Sequence, residues 1–280
     1  MDIISGLKDK VVVITGGAGV LGAGFTNALA KQGAKIAILG RDGEKAQKLA
    51  DEIISAGGKA IGVSADVCDE ASLRKAHKAI NEALGLVDIL INGAGGNHPK
   101  GTTSDVFFDK ENLKIEGLQT FFGLDTEGLR FVFDLNFIGT LLPTQVFAAD
   151  MIGREGCSIL NVSSVSAFHP LTKVPVYSAA KAAISNFTEW LSVYFAKEGI
   201  RVNAISPGFF LTEQNRTLLT NEDGSLTERG NKILSQTPMG RFGESRDLDS
   251  TLLWLCNPAS RFVTGIVVAV DGGFLAYAGV

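Results

Sequence analysis

Seven short runs of apolar, largely β-branched residues recur along the chain, at 11–14, 36–39, 60–63, 87–91, 158–162, 202–205 and 266–270. Uniformly apolar runs of that length suit strands buried on both faces of a parallel sheet. Between them lie helical patterns at 21–32, 44–56, 70–84, 128–151, 177–197 and 247–256. Strand and helix in repeated alternation require βαβ crossovers. The expected fold is therefore α/β, a doubly wound parallel sheet of about seven strands with helices on both faces. No repeat, low-complexity stretch or linker divides the 280 residues, so a single domain spanning 1–280 is expected.

Two segments break the rhythm. Residues 97–122 and 209–239 are long, mixed in polarity and rich in Thr, Asn, Asp and Phe. Both follow strand ends, and ligands of open parallel sheets bind outside the carboxyl ends of the strands. Both are expected to form a substrate lid. The paired phenylalanines Phe107-Phe108 and Phe121-Phe122 suggest that the first segment packs down onto the body.

Charge narrows the partners. With 26 basic against 30 acidic residues the net charge is −4, which gives no electrostatic reason to expect nucleic acid as a partner. Cys68, Cys157 and Cys256 lie far apart in no metal spacing, as expected of reduced thiols used as small core residues. His98 and His169 have no carboxylate or cysteine at ligand spacing, so no metal is expected. The opening MDIISGLKDK is charged and unlike a secretion signal. The apolar runs read as far shorter than the ~20 residues that span a bilayer. A cytoplasmic protein without a membrane anchor is expected.

The stretch VVVITGGAGVLG carries the first strand into a glycine-rich turn and then a helix. Glycines admit a ligand close to the backbone, and the helix N-terminus offers unpaired N–H groups to an anion. After the first strand of a βαβ unit this is a dinucleotide-phosphate site of the Rossmann type. At the end of the second strand a carboxylate would bond the adenosine ribose and favour NAD. That position is Gly40, followed by Arg41, whose guanidinium suits a 2′-phosphate. NADP(H) is favoured on this ground and NAD(H) stays open. The plainer alternative is an exposed arginine opening a helix. Further on, Tyr177 and Lys181 are four apart and share a helix face, either as a surface pair or as a phenol tuned by a cation.

With these features in hand, the chain resembles the short-chain dehydrogenase/reductase family along essentially its whole length. The family's glycine motif reads TGGAGVLG, with Gly16 and Gly22 in place, Val20 at the usual middle glycine and Gly19 one residue earlier. The resemblance places cofactor contacts at Gly16, Gly19, Val20, Leu21 and Gly22, at Arg41, at Asp66 and Val67, and at Asn92, Gly93 and Ala94 of NGAG. Pro207, Gly208 and Thr212 match its PGxxxT segment, which contacts the nicotinamide end, and Tyr177 and Lys181 touch the cofactor as well. Its catalytic set matches Asn136, Ser164, Tyr177 and Lys181. Ser164 rather than Ser163 is in register, thirteen residues before Tyr177.

At finer grain the stretches PLTKVPVYSAAKAAISNFT and TPMGRFGE resemble the D-mannonate oxidoreductase branch, with gluconate 5-dehydrogenase types as rivals. The resemblance implies hydride transfer between a nicotinamide and a keto or hydroxy sugar acid, in a homotetramer or homodimer. In that reading Tyr177 donates or accepts the proton, and Lys181 lowers the phenol's pKa from its usual value near 10. Ser164 places the substrate oxygen, and Asn136 holds Lys181 through a water. Substrate contacts are expected from Asn97, His98, Lys100, His169, Gln214, Asn215 and Arg216, with Arg216 or Lys100 as the carboxylate partner. A regulator without catalysis would have no use for all four catalytic side chains. An epimerase would want another glycine spacing.

Overall fold

The apolar runs become strands because each feeds two cores at once. In β1 (Val11–Thr15), Val12 and Ile14 enter one cluster while Val11 and Val13 enter another, as the two-residue period of a strand dictates. The computed structural model describes residues 6–212 and 215–279. Its strands β2 (Lys35–Gly40), β3 (Lys59–Ser64), β4 (Ile89–Asn92), β5 (Cys157–Val162), β6 (Ile200–Pro207) and β7 (Val267–Val270) join β1 in one seven-stranded sheet. The order is β3-β2-β1-β4-β5-β6-β7, and every pairing is parallel.

Helices α1 (Val20–Lys31), α2 (Gly43–Ser55) and α9 (Asp249–Cys256) cover one face, through Phe25, Leu29, Ile53 and Leu252. The other face is covered by α3 (Glu70–Ala83), α5 (Gly139–Phe147) and α6 (Pro175–Tyr194), through Leu73, Ile80, Phe147 and Leu191. Asp42 and Asp69 cap α2 and α3 by accepting from backbone N–H groups of the first turn.

The expected helix over 128–151 is longer and is broken. It begins as α4 (Thr126–Phe133), widens into a π turn at Asp134–Ile138, continues as α5 and ends in a 3-10 turn. Pro143 removes one backbone donor from α5. Thr126–Met151 is also long and apolar enough to cross a membrane, contrary to the sequence expectation that no run approached that length. Half of its 18-residue apolar window is buried inside the protein, and Val146, Phe147 and Met151 lie in the core with residues of α3 and α6.

Strand order reverses between β1 and β4, which opens a crevice above their carboxyl ends. Thr15 and Asn92 face each other there in register. The Thr15 hydroxyl accepts from the Gly93 and Ala94 N–H groups at 3.1 and 3.2 Å, so the turns after the two strands are locked together.

Candidate active site

The turn from β1 into α1 is set by close backbone approach. Gly16 has a φ of +66°, and a Cβ on Gly22 would lie 2.1 Å from the Gly16 carbonyl oxygen. Gly19 closes the turn as the N-cap of α1, with its N–H donating to Gly16 O at 2.8 Å. Val20 then takes the first helical position, so the displaced glycine costs the turn nothing. No side chain caps α1 and no acid sits in its first turn. Its free N–H groups are left to an anion.

A cleft of about 420 Å³ runs above β1, β4 and β5, walled by Gly16, Gly19, Val20, Leu21 and Gly22 on one side and Gly93 and Ala94 on another. Ser164, Tyr177, Lys181, Pro207, Gly208 and Thr212 complete it. A second compartment of about 380 Å³ continues past Gly16 and Ala94 to Gly40, Arg41, Asp66 and Val67. Two compartments joined at a glycine turn fit an elongated dinucleotide. Arg41 is exposed, and Asp42 beside it is engaged in capping α2 through Lys45 N–H. Asn92 lies elsewhere: it is 1% exposed, and its amide donates to Thr144 Oγ1 and Asn161 Oδ1, binding the sheet to α5. Its place is under the cleft and off its wall.

Asn136 occupies the π turn and is fully buried. Its amide donates to Gly96 O and Val132 O, both at 2.7 Å, and its carbonyl accepts from Gly96 N–H at 3.3 Å. A side chain that reaches both its own helix and the β4 loop belongs with the widened backbone around it. A Cβ on Gly95 would meet Asn136 Oδ1 at 2.7 Å and Lys181 Nζ at 3.3 Å, so both side chains converge beneath that glycine.

Lys181 is 4% exposed and donates to Val162 O at 2.8 Å, with its ammonium 5.6 Å from the centre of the Tyr177 ring. Burial lowers its pKa to about 8. The Tyr177 phenol moves the opposite way from the expectation. Burial raises its pKa, and a hydrogen bond from Ser164 only partly offsets that. The ammonium itself is turned to the Val162 carbonyl. Ser164 is oriented for its part by accepting from Ser166 N–H. Ser163 is occupied otherwise, bonded to Ser185 and to the Lys181 carbonyl. A buried ammonium, a phenol and a hydroxyl thus meet at the mouth of a nucleotide-shaped cleft. Such a set can bind an oxygen and pass it a proton.

The seven expected substrate contacts scatter. Asn97, His98 and Lys100 are used within the first insertion: Asn97 bonds Thr102, His98 accepts from Lys100 N–H and packs on Phe131, and Lys100 lies 3.8 Å from Asp125. Asn215 reaches the cleft wall, but its amide is spent on Phe210 O and Thr212 N–H. Arg216 is exposed on the short α7 (Arg216–Leu219), and Gln214 lies outside the described residues. His169 lines a third cavity, of about 400 Å³, which shares Phe209 with the catalytic cleft.

The insertions contain more structure than their composition suggests. Helix α8 (Glu228–Ser235) lies in the second and brings Arg229 and Lys232 to that third cavity. Reasoning from the sequence passed over both, although their i, i+3 spacing marks a stripe. The phenylalanines of the first insertion do not pack down. Phe107, Phe108, Phe121 and Phe122 are 85, 58, 64 and 73% exposed, and Phe122 meets Phe108 and Phe121 edge-on. Backbone and polar bonds dock the segment instead: Thr103 N–H donates to Lys173 O, and Lys173 Nζ to Ser104 O.

The sequence profile described as short chain dehydrogenase matches residues 10–223. An uncharacterised oxidoreductase of Bacillus subtilis is 52% identical over 275 residues, covering 98% of each chain. A crystal structure of a candidate D-mannonate oxidoreductase from Haemophilus influenzae, with bound NAD, superimposes with a TM-score of 0.95 at 51% identity, over 99% of each chain. A gluconate 5-dehydrogenase from Burkholderia cenocepacia, in complex with NADP and tartrate, gives 0.83 at 28% identity over 99% of this chain and all of its own. With the glycine turn, the two-compartment cleft and the Ser164–Tyr177–Lys181 cluster in that frame, the chain belongs to the short-chain dehydrogenase/reductase family, and it is an NAD(P)-dependent oxidoreductase.

Proposed function

We propose that the protein interconverts a keto sugar acid and the corresponding hydroxy acid, with D-fructuronate and D-mannonate the leading pair. The observation that carries this reading is the likeness, at 51% identity over 99% of both chains, to the candidate D-mannonate oxidoreductase of Haemophilus. A gluconate 5-dehydrogenase type of reaction is the second reading, favoured by the Burkholderia structure.

The nicotinamide cofactor, when bound, supplies or accepts the hydride. The turn at Gly16–Gly22, the N-terminus of α1, Asp66, Val67, Gly93, Ala94, Pro207, Gly208 and Thr212 would hold it. Arg41, beside an acid-free Gly40, supports NADP(H). NAD(H) is supported by the NAD found in the Haemophilus relative. Ser164 donates to the substrate oxygen and so fixes the carbonyl next to Tyr177. The Tyr177 phenol, kept protonated by its burial, gives the proton during reduction. Lys181 opposes the phenolate's charge, and Asn136 holds the Gly95–Gly96 backbone against that ammonium.

Trp190, Val193 and Tyr194 are 56, 78 and 66% exposed on α6, and Phe187, Trp190 and Tyr194 stack in a ladder. An apolar face of that kind supports a homodimer or homotetramer, which light scattering would measure.

The substrate test is a panel of fructuronate, tagaturonate, 5-ketogluconate and 2-ketogluconate assayed with NADH and NADPH. Highest kcat/KM on fructuronate is expected. Preference for 5-ketogluconate would shift the assignment to the second reading. In the same assay Arg41→Ala should weaken NADPH about tenfold and leave NADH unchanged.

A further inference from the structure

The third cavity adjoins the catalytic cleft, with Phe209 a wall residue of both. One side is the loop that connects Ser164 to Tyr177, contributing His169 and Lys173. The other is α8, contributing Arg229 and Lys232. The floor is aromatic, with Phe274 edge-on to both Phe209 and His169 at 5.2 and 6.3 Å between ring centres.

Helix α8 is held at both ends, which fixes the face it turns to the cavity. Thr227 caps it by accepting from Gly230 N–H, and Thr227 N–H donates to Leu219 O. Beyond its last turn, Met239 N–H donates to Gly272 O. Ile233 is buried, and Arg229, Lys232 and Gln236 lie along the cavity side at i, i+3 and i+7. Among the described residues no carboxylate forms an ion pair with Arg229 or Lys232. Two cations without ion pairs among the described residues, on one stripe facing a cavity that shares Phe209 with the reduction site, can receive an anion. Lys173 adds a third positive charge, although its ammonium is engaged with Ser104 O. Among the described residues Glu228 is the one acid on this wall. It leaves the balance positive and offers an acceptor for hydroxyl groups.

We infer that Arg229 and Lys232 form the carboxylate subsite, taking the acid end of a polyhydroxylated chain whose carbonyl lies at Ser164 and Tyr177. This replaces Arg216 and Lys100 as carboxylate partners and deepens the sugar-acid reading, on which it rests. A planar guanidinium grips a carboxylate through two parallel N–H bonds, and the lysine adds a point charge. The aromatic floor suits the C–H face of a sugar chain.

The test measures binding and turnover separately. Calorimetry on the cofactor-loaded wild type should detect D-gluconate and not sorbitol, its uncharged analogue. Arg229→Gln with Lys232→Gln should weaken gluconate on the order of tenfold to a hundredfold. Arg229→Lys should keep part of the affinity, and cofactor binding should not change in either variant. In the kinetic arm, the double variant should raise KM for the best keto acid of the panel while kcat moves little. Equal gluconate affinity in wild type and double variant would overturn the subsite even if sugar acids are turned over. Charge-dependent binding of gluconate with no turnover of any keto acid would overturn the reaction reading and leave the subsite standing.

Discussion

The nucleotide side of the molecule and its two insertions are built on opposite principles. The first is assembled from strand ends, where buried side chains bond to each other and to backbone: Thr15 to Gly93 and Ala94, Asn92 to Asn161, Asn136 to Gly96. Displacing one member there leaves another unsatisfied in the core. The first insertion holds itself through surface turns, exposed aromatics and a few bonds such as Lys173 to Ser104, while the second adds helix α8, capped by Thr227 and anchored by buried Ile233. A rigid half suits chemistry that is the same for every substrate, and a loosely attached half suits the choice of substrate.

If that contrast is right, changes in the rigid half cost most. Tyr177→Phe should lower turnover on the order of 10²- to 10⁴-fold with cofactor affinity preserved, measured by steady-state kinetics and fluorescence titration. A loss below about threefold would remove the phenol from proton transfer.

Lys181 sets the next effect. Its pKa of about 8 means that its charge is complete below that pH and is lost above it. The phenol, raised by burial, stays protonated through the same range. The kcat/KM for reduction should therefore be level at lower pH and fall above about 8. Lys181→Arg, which keeps its charge past pH ~12, should move that fall upward by at least about one unit. An unmoved limb would assign it to another group.

Smaller effects belong to the insertions. Lys173→Ala removes the bond to Ser104 and should raise KM for the keto acid about fivefold with unchanged cofactor affinity. Phe107→Ser, at a ring 85% exposed, should change stability by less than about 0.5 kcal/mol by denaturant titration.

The same division governs what the sequence discloses. Buried parallel strands need continuous β-branched runs, so all seven strands and most helices could be placed from pattern alone. The glycine turn and the Tyr177–Lys181 spacing were legible because close backbone approach and helix periodicity restrict which residues fit, and Ser164 followed from the family resemblance. The π turn around Asn136 was not, since its cause is a side-chain bond to Gly96, forty residues away. Nor was the direction of the Tyr177 shift, which is set by burial of the phenol in the folded site. Composition marked the insertions as irregular, and reading them for cations singled out Lys100 and Arg216. It could not distinguish Lys100, near Asp125, from Arg229 and Lys232, which face a cavity. That distinction arises from long-range packing.

The separation of the two halves can be tested by one excision. Ser104 and Gln119 are bonded to each other at 2.8 and 2.9 Å, which brings the ends of the first insertion together. Residues 105–118 can therefore be replaced by a Gly-Gly join. The shortened protein should bind NADPH or NADH within about twofold of wild type and lose on the order of a hundredfold in kcat/KM for the keto sugar acid. Unchanged kcat/KM, or a parallel loss of cofactor binding, would contradict the division of labour.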